Sequence, residues 1–162
     1  MMNKGRGGGN RGKNPLSKPK SEYKEKTVDI RRVARVMAGG KRFTFRCTLV
    51  IGDEKGMVGV GIAKGLDVAQ AIDKARNDAK KNLFRVKIKG TTLAHEVKAK
   101  FSAARVIIKP AKEGSGLKAG GSVRTVLLMA GVKDASAKCL GRTKNKLTNA
   151  LATIEALKMI RT

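Results

Sequence analysis

Apolar and polar residues alternate most cleanly over residues 42–51, where Phe43, Phe45, Cys47, Leu49 and Ile51 are separated by Arg42, Thr44, Arg46 and Thr48. A period of two marks a strand with one face in a core; the other face here is basic and polar. Before it, Thr27 to Val36 carries Val28, Ile30, Val33 and Val36. The change from even to odd spacing predicts a strand with a bulge near Arg31–Arg32. Ala38-Gly39-Gly40-Lys41 is the expected turn between the two. Gly52 to Gly56 reads as a hairpin loop. A third strand follows, with Val58, Val60 and Ile62 on one face and Gly59 and Gly61 on the other. Glycines within a strand predict that another element packs very close. Val68, Ile72, Ala75, Ala79 and Leu83 then recur at helical spacing and predict a helix from Asp67 to Phe84. Lys74, Arg76, Lys80 and Lys81 decorate its remaining surface.

Lys87 to Gly90 form a connection to a second unit. Thr91 to Val97 and Ala104 to Ile108 are strand-like, and Pro110 closes the latter. A glycine-rich stretch, Lys112 to Ser122, leads to a short helix over Val123 to Ala130, with Ser122 as N-cap and Gly131 beyond its end. A strand near Ser136 to Leu140 and a helix over Lys146 to Ile160, with Leu147, Leu151, Ile154 and Leu157 inward, complete the unit. The predicted fold is α+β, with a β-β-β-α domain over residues 23–88 and a smaller two-layer α/β domain over 89–162. Residues 1–22 are read as a tail. Its first 21 positions hold five glycines, Lys4, Arg6, Arg11, Lys13, Lys18 and Lys20, and no acidic residue. Such a segment cannot bury apolar surface and is expected to be disordered when free; it reads either as a solvated, flexible end or, in the preferred reading, as an arm that orders on the phosphates of a polyanion.

Charge narrows the function. Lys and Arg total 37 against 12 Asp and Glu, giving +25 on 162 residues and a pI near 10.8. Self-repulsion on that scale calls for a polyanion partner. A membrane fits poorly, because stretches such as Val126 to Val132 are far too short to span one. No secretory leader pattern is visible, so the chain is expected to stay where it is made. Cys47 and Cys139 lie far apart with a single histidine, His95, which predicts two buried thiols rather than a zinc site. Four Phe, one Tyr and no Trp leave few platforms for stacking bases. Structured RNA, read through its phosphates and shape, fits better than unpaired bases.

Other motifs fail or stay open. Gly59, Gly61 and Gly65 give G-x-G-x-x-x-G, the wrong spacing for a dinucleotide loop, and no G-x-x-x-x-G-K-[ST] exists. The 112–122 loop could cradle a phosphate or a partner's carboxylate on its backbone N–H groups, or its glycines could simply permit tight turns. No Ser or Cys motif marks a nucleophile. His95 is read as a strand residue with an ordinary hydrogen bond, and Asp73 and Asp78 as partners of helix cations. No enzyme activity, cofactor, metal or small-molecule substrate is expected. A free double-stranded-RNA-binding protein is one function that these features allow.

Longer motifs carry a resemblance. Gly39-Gly40-Lys41-Arg42-Phe43-Thr44-Phe45, Val50-Ile51-Gly52-Asp53 and Gly56-Met57-Val58-Gly59-Val60-Gly61 resemble the first domain of bacterial-type small-subunit ribosomal protein five. His95-Glu96-Val97, Pro110 to Gly116, Ala119-Gly120-Gly121, Ala130-Gly131-Val132 and Ala152-Thr153-Ile154 resemble its second, so the similarity runs in order over residues 24–160. The resemblance implies a first domain like a double-stranded-RNA-binding domain without its first helix. It also implies a cytoplasmic ribosomal location and binding to 16S rRNA where the body of the small subunit meets its head. Proteins four and eight are the implied neighbours, beside the mRNA entry region, with an influence on decoding accuracy. Carried over, the RNA-binding residues are Arg32, Arg35, Gly39, Gly40, Lys41, Arg42, Arg46, Lys64 and Asn145, with the 38–42 loop near where spectinomycin binds. The side facing protein four is Glu113, Gly114, Gly116, Gly120, Gly121 and Arg124. The chain departs from the family in having Ala63-Lys64-Gly65 after the third strand, and Asn145-Lys146 where members carry Asn-Pro.

Overall fold

A computed structural model describes residues 22–161; the tail expected over residues 1–21 lies outside them. The first sheet has the order β1 (Lys24–Met37), β2 (Gly40–Gly52), β3 (Met57–Gly65), β4 (Phe84–Arg85), all antiparallel. Helix α1 (Val68–Lys81) packs on one face of it. The glycines of β3 explain how closely it packs: a Cβ on Gly61 would lie 2.2 Å from the Ala75 carbonyl oxygen and 2.3 Å from the Ala79 nitrogen. Small residues meet on both sides, since α1 buries Ala71, Ala75 and Ala79. The helix stops at Lys81, short of the expected Phe84, because the chain turns at Asn82 to add β4 against Met57 and Val58. Asp73 pairs with Arg76 as expected, at 2.6 Å. Asp78 does not pair along the helix: its carboxylate accepts the Ile62 N–H of β3 at 2.9 Å.

The second sheet has the order β5 (Val97–Phe101), β6 (Ala104–Pro110), β8 (Ala135–Cys139), β7 (Leu117–Lys118), with β7 parallel to β8. Helices α2 (Gly121–Ala130) and α3 (Lys146–Lys158) cover its inner face. Three expectations shift. Thr91 to Val97 is irregular except for a bridge at Thr92, and the strand begins where that segment ends. Helix α2 starts from Gly120 rather than Ser122, which is itself buried, and Gly131 ends it at φ +93° as glycine permits. His95 lies exposed in a bend, not on a strand.

The sheets share one core. Val50, Val58 and Val60, on the face of the first sheet opposite α1, join Val123, Val126, Leu127 and Leu157 of the second unit. The β2–β3 loop is also bonded to the end of α2: Glu54 N–H donates to the Met129 carbonyl at 3.1 Å, and Gly56 N–H to Ala130 at 2.9 Å. This corrects the expectation for β2. Its basic face is basic only toward the hairpin tip, because Thr48 and Val50 on the same face are buried against the second unit. The bulge is displaced too, with the register shift falling between Thr27 and Asp29 instead of near Arg31–Arg32. Cys47 is fully buried and Cys139 half-buried, both as free thiols whose burial pushes their pKa up.

Candidate nucleic-acid interface

β1 and β2 pair along their whole length, but β3 ends opposite Phe45. The hairpin therefore projects beyond the sheet as a two-stranded ribbon. Register assigns its side chains to faces. Arg35 stands directly opposite Arg42, and Arg31, Arg46 and Lys64 form a row across three strands. Like charges directly opposite one another destabilise a sheet by a few tenths to about 1 kcal/mol. Asp29 relieves part of this: it accepts Arg31 Nε at 2.6 Å and lies 3.3 Å from Lys146 Nζ of α3. Burial raises the Asp29 pKa, but the hydrogen bonds from Arg31 and Lys146 outweigh it and leave the carboxyl below its ordinary value. Among the described residues no ion pair involves Arg35, Arg42, Arg46 or Lys64.

Arg35, Arg42 and Lys64 meet Lys74 of α1 around an open groove of about 580 Å³, which Phe43, Leu66 and Gln70 help to line and no carboxylate enters. Arg32 and Lys41 belong to the opposite face of the ribbon, where the Arg32 guanidinium stacks 3.7 Å above the Phe43 ring. Gly39 and Gly40 form the tip; Gly40 has φ +134° and open space where a Cβ would be. Val36 and Met37 beside them are exposed. Such an arrangement can hold successive phosphates along one side and press small apolar groups against a groove.

Asn145 does not line this groove. It is the N-cap of α3, its side chain accepting the Leu147 N–H at 3.2 Å. Lys74 and Arg31 were the cationic neighbours that sequence spacing did not single out. Gln70 and Lys74, four apart on α1, were the available signal, since they share the helix face nearest the end of β3.

The second candidate cluster is the loop before α2. Gly114 and Gly116 adopt φ of +81° and +70°. Their N–H groups do cradle an anion, and it is internal: Gly116 N–H donates to the buried Asp134 carboxylate at 2.9 Å. That bond above all, with further help from the Gly114 N–H, holds the Asp134 pKa below its ordinary value. Glu113, Gly120 and Gly121 are exposed. Arg124 lines a separate groove of about 590 Å³ with Leu117, Leu128 and Asp53.

Comparison with known proteins decides what carries these surfaces. Residues 23–87 match the family model described as ribosomal protein S5, N-terminal domain, and residues 99–162 match ribosomal protein S5, C-terminal domain. The chain belongs to the ribosomal protein S5 family. Small ribosomal subunit protein uS5 from Campylobacter jejuni, in serotypes O:23/36, O:6 and O:2, is 46% identical over 142 residues, 88% of this chain and 96% of the relative. An S5 family protein is a structural constituent of the small ribosomal subunit, and the two-domain architecture here is that of the family. No helix of the described residues is long and apolar enough to cross a membrane.

Proposed function

We propose that this chain braces the small subunit by gripping 16S rRNA through the hairpin ribbon and its groove, at the junction of body and head in the cytoplasmic ribosome. The observation that carries the reading is the set Arg35, Arg42, Arg46 and Lys64, facing one another across strands without acidic partners. RNA phosphates are the counter-charge that relieves this repulsion. The glycines at the tip allow the backbone to approach the RNA closely. Glu113 to Arg124, together with the Arg124 groove, forms the side toward protein four, through which the chain influences decoding accuracy beside the mRNA entry region. Protein eight is its other neighbour.

The test is rRNA binding against salt concentration. Arg42→Gln with Lys64→Gln removes two phosphate contacts and should make the log–log slope shallower by about 1.8, at about 0.9 per contact on a duplex. An unchanged slope would remove the ribbon from the interface. Gly40→Asp should disturb subunit assembly and spectinomycin response, since it combines an unfavourable φ with a negative charge at the tip.

A further inference from the structure

The register shift between Thr27 and Asp29 leaves Val28 without a partner on β2, and a bulge of this kind re-aims a side chain. Val28 packs against the core shared with the second unit. Beside it, where β1 meets the start of α2, lies an open cavity of about 390 Å³. Its wall combines Thr27 and Val28 of β1, Ser122 of α2, Cys139 of β8, and Lys146 and Asn149 of α3, and no carboxylate lines it. Helix α2 begins here without a side-chain cap. The Gly121, Ser122 and Val123 N–H groups have no acceptor among the described residues, and the first bond of the helix runs from the Arg124 N–H to the Gly120 carbonyl at 2.7 Å. Ser122 is only 9% exposed, and its hydroxyl has no hydrogen-bond partner either. Thr125 in the same wall differs, since its hydroxyl donates to the Gly121 carbonyl at 3.0 Å. Asn149 holds a buried Oδ1 that no donor reaches.

We propose that this cavity is a binding site for a small phosphomonoester, seated between the two units. The donors select the ligand. Unbonded N–H groups at a helix start carry partial positive charge and bind oxyanions. Ser122 adds a buried hydroxyl, whose desolvation is uncompensated until an acceptor arrives. Lys146 adds a full charge, held by Asp29 at 3.3 Å, a looser pair than Arg31 makes with the same carboxylate at 2.6 Å. A phosphate group has enough oxygens to accept from all three kinds of donor at once. The volume calls for more than a bare ion, since it lies within the roughly 300–1,000 Å³ of small-molecule pockets. Val28 and Cys139 supply an apolar wall for the group that the phosphate carries. Because β1 belongs to the first unit and α2, β8 and α3 to the second, the bound ester would bridge the seam between them. The site uses none of the cations of the ribbon, so the inference does not depend on the rRNA reading; it shares Gly120 and Gly121 with the side proposed to face protein four.

The test titrates the isotope-labelled full-length chain, at constant ionic strength, with phenyl phosphate and separately with inorganic phosphate, and follows backbone amide signals by NMR. Saturable shifts of the Gly121, Ser122 and Val123 amides are expected, with phenyl phosphate the tighter ligand. Ser122→Ala should weaken phenyl phosphate by about tenfold, the scale of one hydrogen bond to a charged group. Cys139 is a second reporter, because it lines the cavity: the bound ester should slow its alkylation by iodoacetamide in the parent chain, a readout that stands even if the variant fails to fold. Shifts that grow without saturating, or that are equal in the parent and a folded Ser122→Ala, mean an adventitious ion only and overturn the inference. Inorganic phosphate binding as tightly as phenyl phosphate overturns the assignment to an ester. Alkylation of Cys139 at the same rate with and without phenyl phosphate removes the ligand from the cavity. Protection by a small-subunit rRNA transcript, and by neither small phosphate, gives the cavity to RNA and overturns the inference as well.

Discussion

Replacing Gly131 by Ala tests whether the two units bear on each other as closely as their hydrogen bonds imply. Gly131 has φ +93°, and a Cβ there would lie 2.2 Å from the Glu54 carbonyl oxygen in the β2–β3 loop. The left-handed backbone costs a non-glycine residue about 1–2 kcal/mol. The loop must also retreat by about 1.2 Å, from 2.2 Å to the 3.4 Å at which ordinary Cβ contacts begin. That shift disrupts the bonds from Glu54 to Met129 and from Gly56 to Ala130, each worth about 0.5–1.5 kcal/mol net. The expected total is about 2–5 kcal/mol. Gly90→Ala provides the control, since Gly90 has φ +61° and nothing within 4 Å of its Cβ position. It should incur the backbone cost alone, about 1–2 kcal/mol. Urea unfolding followed by circular dichroism should therefore place Gly131→Ala about 1–3 kcal/mol below Gly90→Ala, and its Tm lower by about 2–12 °C for a chain of this size. If the two variants agree within about 0.5 kcal/mol, the difference a measured pair of mutants can resolve, the inter-unit contact carries no load.

Three more outcomes follow from the geometry. Gly61→Ala should destabilise by overpacking, about 1–3 kcal/mol or more, because the backbone of α1 blocks its Cβ; a urea unfolding free energy equal to that of the parent would deny the close helix approach. The Asp134 carboxyl is held below its ordinary 3.8 by Gly116 first, so its stabilisation is full above that value and lost as pH falls through the folded one. Thermal melts of the parent should then decline more steeply than those of Asp134→Asn below about pH 4, and parallel curves would contradict the assignment. Asn145→Ala should cost about 1 kcal/mol as a lost N-cap while Asn145→Ser restores most of it; equal rRNA affinity in the two would leave the cap as the residue's whole role, whereas weakened binding by the stable Ser variant would restore its place in the interface.

Local pattern made much of this legible. The alternation from Phe43 to Ile51 names the face of β2 that meets α1, and Gly59 and Gly61 mark where that helix comes close. The bulge is displaced because Ile30 and Val36 do not mark a core face: both are exposed, Val36 on the ribbon that projects beyond β3 and Ile30 on the strand before it. Thr91 to Val97 has the apolar spacing of a strand, but Leu93 is buried in an irregular segment bridged at Thr92, and of that stretch Val97 alone belongs to β5. The cations of the ribbon were visible as a basic strand face. Which of them have acidic partners was not, since Asp29 reaches across to Lys146, over a hundred positions on. Asp134 was silent for the same reason: its partners lie in a loop 18 residues earlier.

The bonded β2–β3 loop has a mechanical consequence. β2 runs unbroken from that loop to the hairpin tip, 13 residues, or about 40 Å at the usual rise per residue. With its base fastened to the end of α2, the ribbon is a lever whose fulcrum sits between the units. A tilt of about 5° at the base would sweep the tip by about 3–4 Å over that length. A substitution in α2, far from any nucleotide the tip reaches, can therefore act there by geometry alone.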